Sequence, residues 1–189
     1  MIKVLWVLRA LIYKPFFGKF CMPSYIGKPI YLKNTKRIFI GKRVRIFPGI
    51  RLEVINKVAK LQIQENVAIG QNVHITCGKN VIIGKNTLLT ENIMITDIDH
   101  DYKELNTPIL KQENICKETV IGQNCFIGFG AVIQAGTKLG KHCIVGSNAV
   151  VRGEFPDYCV IVGIPARIIK RYDFESKEWR KTNKNGDFV

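Results

Sequence analysis

The stretch Ile121–Val151 reads IGQNCFIGFGAVIQAGTKLGKHCIVGSNAVV. Every sixth residue from Ile121 is aliphatic: Ile127, Ile133, Leu139, Val145 and Val151. A helix repeats about every 3.6 residues and a strand about every 2, so neither produces this pattern. A short fixed period marks a solenoid, and a six-residue unit marks a parallel β-helix.

The other positions explain the period. Gly often follows the aliphatic residue, as at Gly122, Gly128, Gly140 and Gly146. The fourth position holds Asn124, Gly130, Gly136, His142 and Asn148. These types tolerate positive φ, so the chain turns a corner there. The fifth position holds Cys125, Ala131, Thr137, Cys143 and Ala149, all small enough for the inside of a bend. Three hexapeptides make a coil of about 18 residues, and coils stack about 4.8 Å apart. The aliphatic ladders then run down the axis, each buried side chain contributing roughly 1.5–3 kcal/mol.

This pattern resembles the hexapeptide-repeat acyltransferases. The tail Val150–Tyr172, VVRGEFPDYCVIVGIPARIIKRY, is similar to the closing coil of their sugar and surface-glycan O-acetyltransferase branch, with Gly163, Pro165 and Ala166 at its exit. The resemblance implies a mainly β fold, a left-handed parallel β-helix. The hand comes from the resemblance, because general rules favour right-handed crossovers and spacing does not settle it.

The rest of the chain is consistent with one globular domain: 189 residues, 47% of them hydrophobic. The net charge of +14 suits a polyanion, an acidic membrane surface or a cofactor carrying phosphates. Six cysteines occur without a CxxC, which argues against a zinc knuckle. Cys125 and Cys143 are one coil apart and are expected to stack as reduced thiols, which fits a cytoplasmic compartment.

Residues 1–30 form an N-terminal amphipathic or capping segment. Met1–Phe20 is apolar but interrupted by Lys3, Arg9, Lys14 and Lys19. It lacks a small-x-small cleavage site and is too short and charged to span a bilayer. It reads as a helix that caps the prism or lies on the anionic inner face of the cell membrane, and the two roles are compatible. Pro15 ends or kinks it. Residues 31–164 are the β-helix, of about six coils, although 21–39 are poorly patterned. Register slips over 53–62, where Lys57 and Lys60 are expected on a loop or irregular coil, and again by two residues at Ile83. Asn66, Asn72, Asn86 and Asn92 recur at the corner position. Residues 96–117, TDIDHDYKELNTPILKQENICK, contain no hexapeptide and read as an ejected loop of functional kind. Residues 165–189 are expected to be a C-terminal helix, with Pro165 in its first turn, and a tail.

Three histidines confine the search for a base. His142 stands at a corner and reads as a turn residue. His74 ends the repeat IGQNVH and points outward, in a structural or solvent-facing role or lining a cleft. His100 lies where the chain leaves the prism, among Asp97, Asp99 and Asp101. A carboxylate beside imidazole fixes its tautomer and steadies the imidazolium.

The resemblance implies catalysis at His100, since Thr96-Asp97-Ile98-Asp99-His100 is similar to the D-x-x-H and D-H-D-H forms of glycan acetyltransferases. Asp97 is the first choice as its orienter and Asp99 the second. The implied donor is acetyl-CoA, bound between two prisms of a homotrimer. By residue matching, Phe126, Phe129, Ser147, Arg152 and Gly153 line that groove, and Arg167 and Lys170 meet the cofactor phosphates. Arg152-Gly153 replaces the Thr-Lys pair of relatives. The N-terminal substrate module of the maltose and galactoside acetyltransferases is not visible, which argues against a free small sugar bound in their manner.

The resulting expectation is an acetyl-CoA-dependent O-acetyltransferase acting on a sugar hydroxyl of a surface-polysaccharide precursor, with direct transfer and no metal. The alternative is an N-acetyltransferase for an amino sugar, a nucleotide sugar or a drug. A γ-type carbonic anhydrase needs histidines close in sequence, which His74, His100 and His142 are not. A nucleic-acid partner is not expected, because no aromatic-basic interleaving or recognition motif occurs. A non-catalytic scaffold is the remaining reading.

Overall fold

A computed structural model describes residues 2–183 and 186–189, except the side chain of Ile2. Three parallel sheets run the length of a β-solenoid column. The first has seven strands, from Lys19–Phe20 through Asn80–Ile83 and Thr119–Ile121 to Glu154–Phe155. The second begins at Tyr25–Ile26 and includes Leu88–Leu89, Phe126–Ile127 and Cys159–Gly163. The third has six strands, from Tyr31–Lys33 through His74–Cys77 and Met94–Thr96 to Val150–Val151.

The six-residue spacing becomes one aliphatic ladder per face. Ile121 pairs with Leu139, Ile127 with Val145, and Ile133 with Val151. All six are buried, as are Cys125, Ala131, Thr137, Cys143 and Ala149 at the bends. Cys125, Cys143 and Cys159 are free thiols inside the column. Corner residues Asn66, Asn72, Asn86, Asn92, Asn124, His142 and Asn148 have φ between 55° and 60°. Their side chains add a ladder of their own: Asn66 Nδ2 donates to Asn86 Oδ1 (2.9 Å) and Asn86 Nδ2 to Asn124 Oδ1 (3.0 Å). Gly122 is required by stacking, because a Cβ there would lie 2.3 Å from the Gly140 carbonyl oxygen.

Four expectations are corrected. The column has seven rungs on two faces instead of six, and it begins at Lys19, before residue 31. Residues 21–39 belong to the first coil, which starts at Lys19 and in which Phe20, Ile26 and Leu32 point inward at six-residue steps. Lys60 starts a strand, while Lys57 lies on a tight turn in which Asn56 Oδ1 accepts from the Val58 and Ala59 amides. The slip at Ile83 arises because Asn80–Ile83 is a longer strand, with both Val81 and Ile83 facing in.

The fourth correction concerns the C-terminus. No helix follows Pro165 among the described residues. Ala166–Asp173 is a strand antiparallel to Cys159–Gly163, and Glu178–Lys181 pairs with it in turn. The run Ile168-Ile169-Lys170-Arg171-Tyr172 is β-branched and aromatic, which favours a pleated strand. The edge of Cys159–Gly163 offers unpaired backbone groups that this strand satisfies. Ala166 is buried and Ile168 packs on the core.

At the opposite end, α1 (Ile2–Tyr13) packs along the outermost strand of the second sheet, Tyr25–Ile26, and Lys14–Phe16 forms a 3-10 turn around Pro15. Ala10 is buried, Trp6 packs on Tyr25 and Phe47, and Arg9 Nη1 donates to the Ile26 carbonyl (3.3 Å). Among the described residues no helix is long and apolar enough to cross a membrane.

Substituting Asn86→Ala removes two amide hydrogen bonds and places a Cβ-bearing residue without a polar group at positive φ. We expect a loss of about 1–2 kcal/mol in urea unfolding, with Asn86→Gly losing less because only the bonds are removed.

Candidate active site

The segment expected to be ejected is an arm whose base is a two-stranded ribbon. Ile98–His100 pairs antiparallel with Asn114–Cys116, placing His100 opposite Asn114. The ribbon leaves the column from Met94–Thr96 on the third sheet and returns to Thr119–Ile121 on the first. Thr119 Oγ1 donates to the Thr96 carbonyl (2.9 Å), and the Lys117 amide donates to the Asp97 carbonyl (2.8 Å). Both departure and return are thereby pinned to one corner.

Asp97 is fully buried. Its Oδ1 accepts from the Gly78 amide (2.6 Å), and its Oδ2 accepts from the amides of Lys79 (2.8 Å) and Asn80 (2.7 Å). Three backbone donors compensate the buried carboxylate, so Asp97 closes the bend after His74–Cys77. Burial, and then the Asp97 carboxylate, push the Cys77 thiol up to about 12. The first-choice orienter therefore has its carboxylate turned to the backbone of the rung below, away from the arm.

Asp99 is the carboxylate adjoining the histidine. Its Oδ1 accepts from the His100 amide (3.1 Å), and its Oδ2 forms an ion pair with the Arg152 guanidinium. The hydrogen bond from Arg152 holds the Asp99 carboxyl below the usual range, against a smaller opposing effect of burial. Arg152 follows Val150–Val151 on the third sheet, so the pair ties the ribbon to the upper column. The His100 side chain is exposed beside it.

The remaining expected site residues fall into two groups. Arg152 and Arg167 line one small cleft together with Phe155 and Ile168. Gly153, at φ 109°, leaves open space around its Cα. Phe126 projects from the second sheet, and Phe129 and Ser147 occupy successive rungs of the next corner. Lys170 is exposed on the strand that was expected to be a helix. Within one chain the aromatic group and the His100 group stand at different corners.

His142 takes the turn role, with its ring against Tyr158 and Trp179. His74 stands outward between Arg51 and Met94, and burial followed by the Arg51 charge lowers its pKa. Among the described residues no group of three His, Cys, Asp or Glu side chains is placed to hold a metal. A cavity of about 1050 Å³ opens at the C-terminal end, lined by Tyr158, Tyr172 and Arg180 among others, and it includes none of the expected site residues. Sequence reading missed the Gly78–Asn80 amides that hold Asp97. The Gly-Lys-Asn corner one rung before Asp97 was the available signal.

Residues 118–153 match the family described as bacterial transferase hexapeptide (six repeats). The chain is 34% identical over 161 residues to WbbJ of Escherichia coli, named as a lipopolysaccharide biosynthesis O-acetyl transferase, covering 81% of each. It is 32% identical over 150 residues to a protein of Mycobacterium tuberculosis named as an acetyltransferase, spanning 77% of this chain and 49% of that one. The structure of AntD, an N-acyltransferase from Bacillus cereus solved with dTDP and 3-hydroxybutyryl-CoA, superposes with a TM-score of 0.76 at 18% identity, covering 89% of this chain and 90% of that one. A hexapeptide-repeat acetyltransferase of Vibrio cholerae, solved with acetyl coenzyme A, gives 0.60 at 22% identity, covering 88% and 77%. These two share the fold. The chain belongs to the hexapeptide-repeat acyltransferase family.

Asp97→Asn is expected to cost on the order of 3 kcal/mol in chemical denaturation, because an amide replaces a charged acceptor of three buried N–H groups. Asp99→Asn removes an ion pair between exposed side chains and is expected to cost under about 1 kcal/mol. Because the Asp99 carboxyl is lowered in the fold, its contribution is present above its unfolded pKa and is lost as pH falls through the folded value. Amide protection at Ile115 and Asn114, followed by hydrogen exchange, should therefore fall on acidification. Arg152→Ala should abolish that pH dependence.

Proposed function

We propose that the chain is an acetyl-CoA-dependent O-acetyltransferase that modifies a sugar hydroxyl of a surface-polysaccharide precursor, working as a homotrimer at the inner face of the cell membrane. The observation that carries this reading is the exposed His100 at the root of an arm tied to the column through Asp99 and Arg152. The likeness to WbbJ, named as an O-acetyl transferase, supports oxygen over nitrogen as the acceptor atom.

His100 has the chemistry of a general base near neutrality. It takes the proton from the sugar hydroxyl as that oxygen attacks. It then returns the proton to the departing sulfur, so no acyl group is carried on the protein. Acetyl-CoA, when bound, supplies the thioester acyl group. The residues fit such a donor: Arg152 and Arg167 share a cleft, Lys170 is an exposed cation near it in sequence, and Phe126 and Phe129 offer exposed rings. Guanidinium groups suit phosphate oxygens. Asp99 positions the backbone of His100 through its hydrogen bond to the amide, and Arg152 holds Asp99. Neighbouring columns would bring the aromatic corner of one chain against the His100 corner of the next.

Acylation of an amino sugar remains the second reading, because the same imidazole can take a proton from an ammonium. Labelled acetyl-CoA distinguishes the two, because an ester product loses its label in alkali and an amide keeps it.

His100→Ala is expected to lower kcat by about 10²–10⁴-fold with unchanged thermal unfolding. Normal turnover in that variant would refute the role given to the imidazole. Arg152→Ala is expected to raise KM for acetyl-CoA and lower kcat together, since Arg152 serves both the arm and the cleft.

A further inference from the structure

The charge of this protein is concentrated at one end. Residues 1–51 hold twelve Lys or Arg and no Asp or Glu, whereas the remaining residues hold seventeen basic and fifteen acidic side chains. Twelve of the fourteen net positive charges therefore belong to α1 and the first two rungs. Lys3, Lys14, Lys19, Lys28, Lys36 and Lys42 are all exposed.

The same end carries an exposed apolar face. On α1 the inward side is Trp6, Ala10 and Tyr13. The outward side is Val4, Leu5, Leu8, Leu11 and Ile12, each between 49% and 65% exposed, and Phe16 extends it at 60%. At 100° per residue the outward side chains of α1 span an arc of about 120° centred on Leu8, with Lys3 on one side and Arg9 on the other, and Lys14 just past the helix on the side of Lys3. An apolar stripe bordered by basic residues is the arrangement of a helix lying in a lipid interface.

We infer that this end of the column docks on an anionic phospholipid bilayer, with α1 flat in the interface and the solenoid axis rising from it. The inference deepens the proposed function and rests on it for the nature of the acceptor. Charge complementarity selects the occupant. A second copy of the chain would press two such basic ends together with no carboxylate among residues 1–51 to neutralise them. A nucleic acid would satisfy the lysines but leave the Leu8 face in water. A bilayer with anionic headgroups satisfies both.

The geometry also sets a height. Met94–Thr96 lies three strand steps above Tyr31–Lys33 on the third sheet, which is about 14 Å at the spacing of paired strands. His100 leaves from that level. A lipid-anchored precursor would therefore be acylated on a sugar held off the headgroup plane, and the helix thickness of about 10 Å adds to that distance.

The test is sedimentation of the full chain with vesicles of phosphatidylglycerol and phosphatidylcholine, compared with phosphatidylcholine alone. We expect binding to the anionic vesicles that weakens with salt. It should fall roughly tenfold or more in the variant L5E/L8E/I12E, and likewise in K14E/K19E/K28E should the first variant unfold. Equal binding to both vesicle types overturns the inference. So does unchanged binding in the charge-reversed and apolar-face variants, tighter binding to RNA than to vesicles, or a variant that alters only the oligomeric state. The two tryptophans stand at opposite ends of the chain, Trp6 in α1 and Trp179 in the last ribbon. Brominated anionic vesicles should quench Trp6 in W179F and spare Trp179 in W6F, and the reverse pattern overturns the orientation. Acetyl transfer from labelled acetyl-CoA is measured in parallel without lipid. Transfer without vesicle binding sinks the docking inference and the membrane location but leaves the acetyl transfer, and vesicle binding without transfer sinks the catalytic reading alone.

Discussion

Everything in this molecule depends on the match between one rung and the next. A buried aliphatic such as Ile127 is covered above and below by Val145 and Leu89 and has no other neighbour of its kind on that face. The match holds only if the chain turns by the same amount at every corner. Left-handed backbone at the corner position accomplishes this, and Asn is the residue that tolerates it while still bonding to the Asn of the next rung. The corner is therefore a side-chain ladder as well as a bend. Where Gly occupies it, as at Gly130 and Gly136, the turn is kept and that ladder contact is not made by a side chain.

The arm is the place where this rule is suspended. Between Thr96 and Thr119 the column has no hexapeptide, yet Asn80–Ile83 still meets Thr119–Ile121 in register. The gap is bridged by polar groups that would be costly if unpaired. Asp97 gathers the amides of the bend below, and the Thr119 hydroxyl reaches the Thr96 carbonyl. A buried carboxylate held by three N–H groups is stiff, and stiffness at the root transfers to the ribbon carrying Asp99 and His100. Asp97 lies in the bend before the ribbon and Asp99 in the ribbon itself, so the carboxylate placed first as orienter serves the bend and the second one adjoins His100.

The repeat from Ile121 to Val151 was legible because each strand after Thr119–Ile121 is two residues long, so every rung advances by one hexapeptide per face. The signal was present in the first coil too, as Phe20, Ile26 and Leu32, but Phe replaced an aliphatic and no Asn or Gly marked the corner at Pro23. Longer strands such as Asn80–Ile83 obscured it elsewhere, since two inward residues in one strand look like a broken period. The C-terminal run was misread because Pro165 and a basic, apolar segment suit a helix start as well as a strand. What decided the matter was an open sheet edge, a tertiary feature that no local pattern encodes. The Asp99–Arg152 pair was illegible for a related reason: it joins residues 53 positions apart across the arm.

The division between inward and outward residues explains why the fold and the chemistry vary independently. The inward positions accept only residues that fit the ladder, and they carry the burial energy. The outward positions, among them Phe126, Phe129, Ser147 and Arg152, carry little of it. A chain 18% identical can therefore superpose with a TM-score of 0.76. It follows that similarity of the column says little about the acceptor. The informative residues are those that break the ladder or stand outside it: the arm that carries His100, the arginine that holds it, and the basic, apolar end at α1.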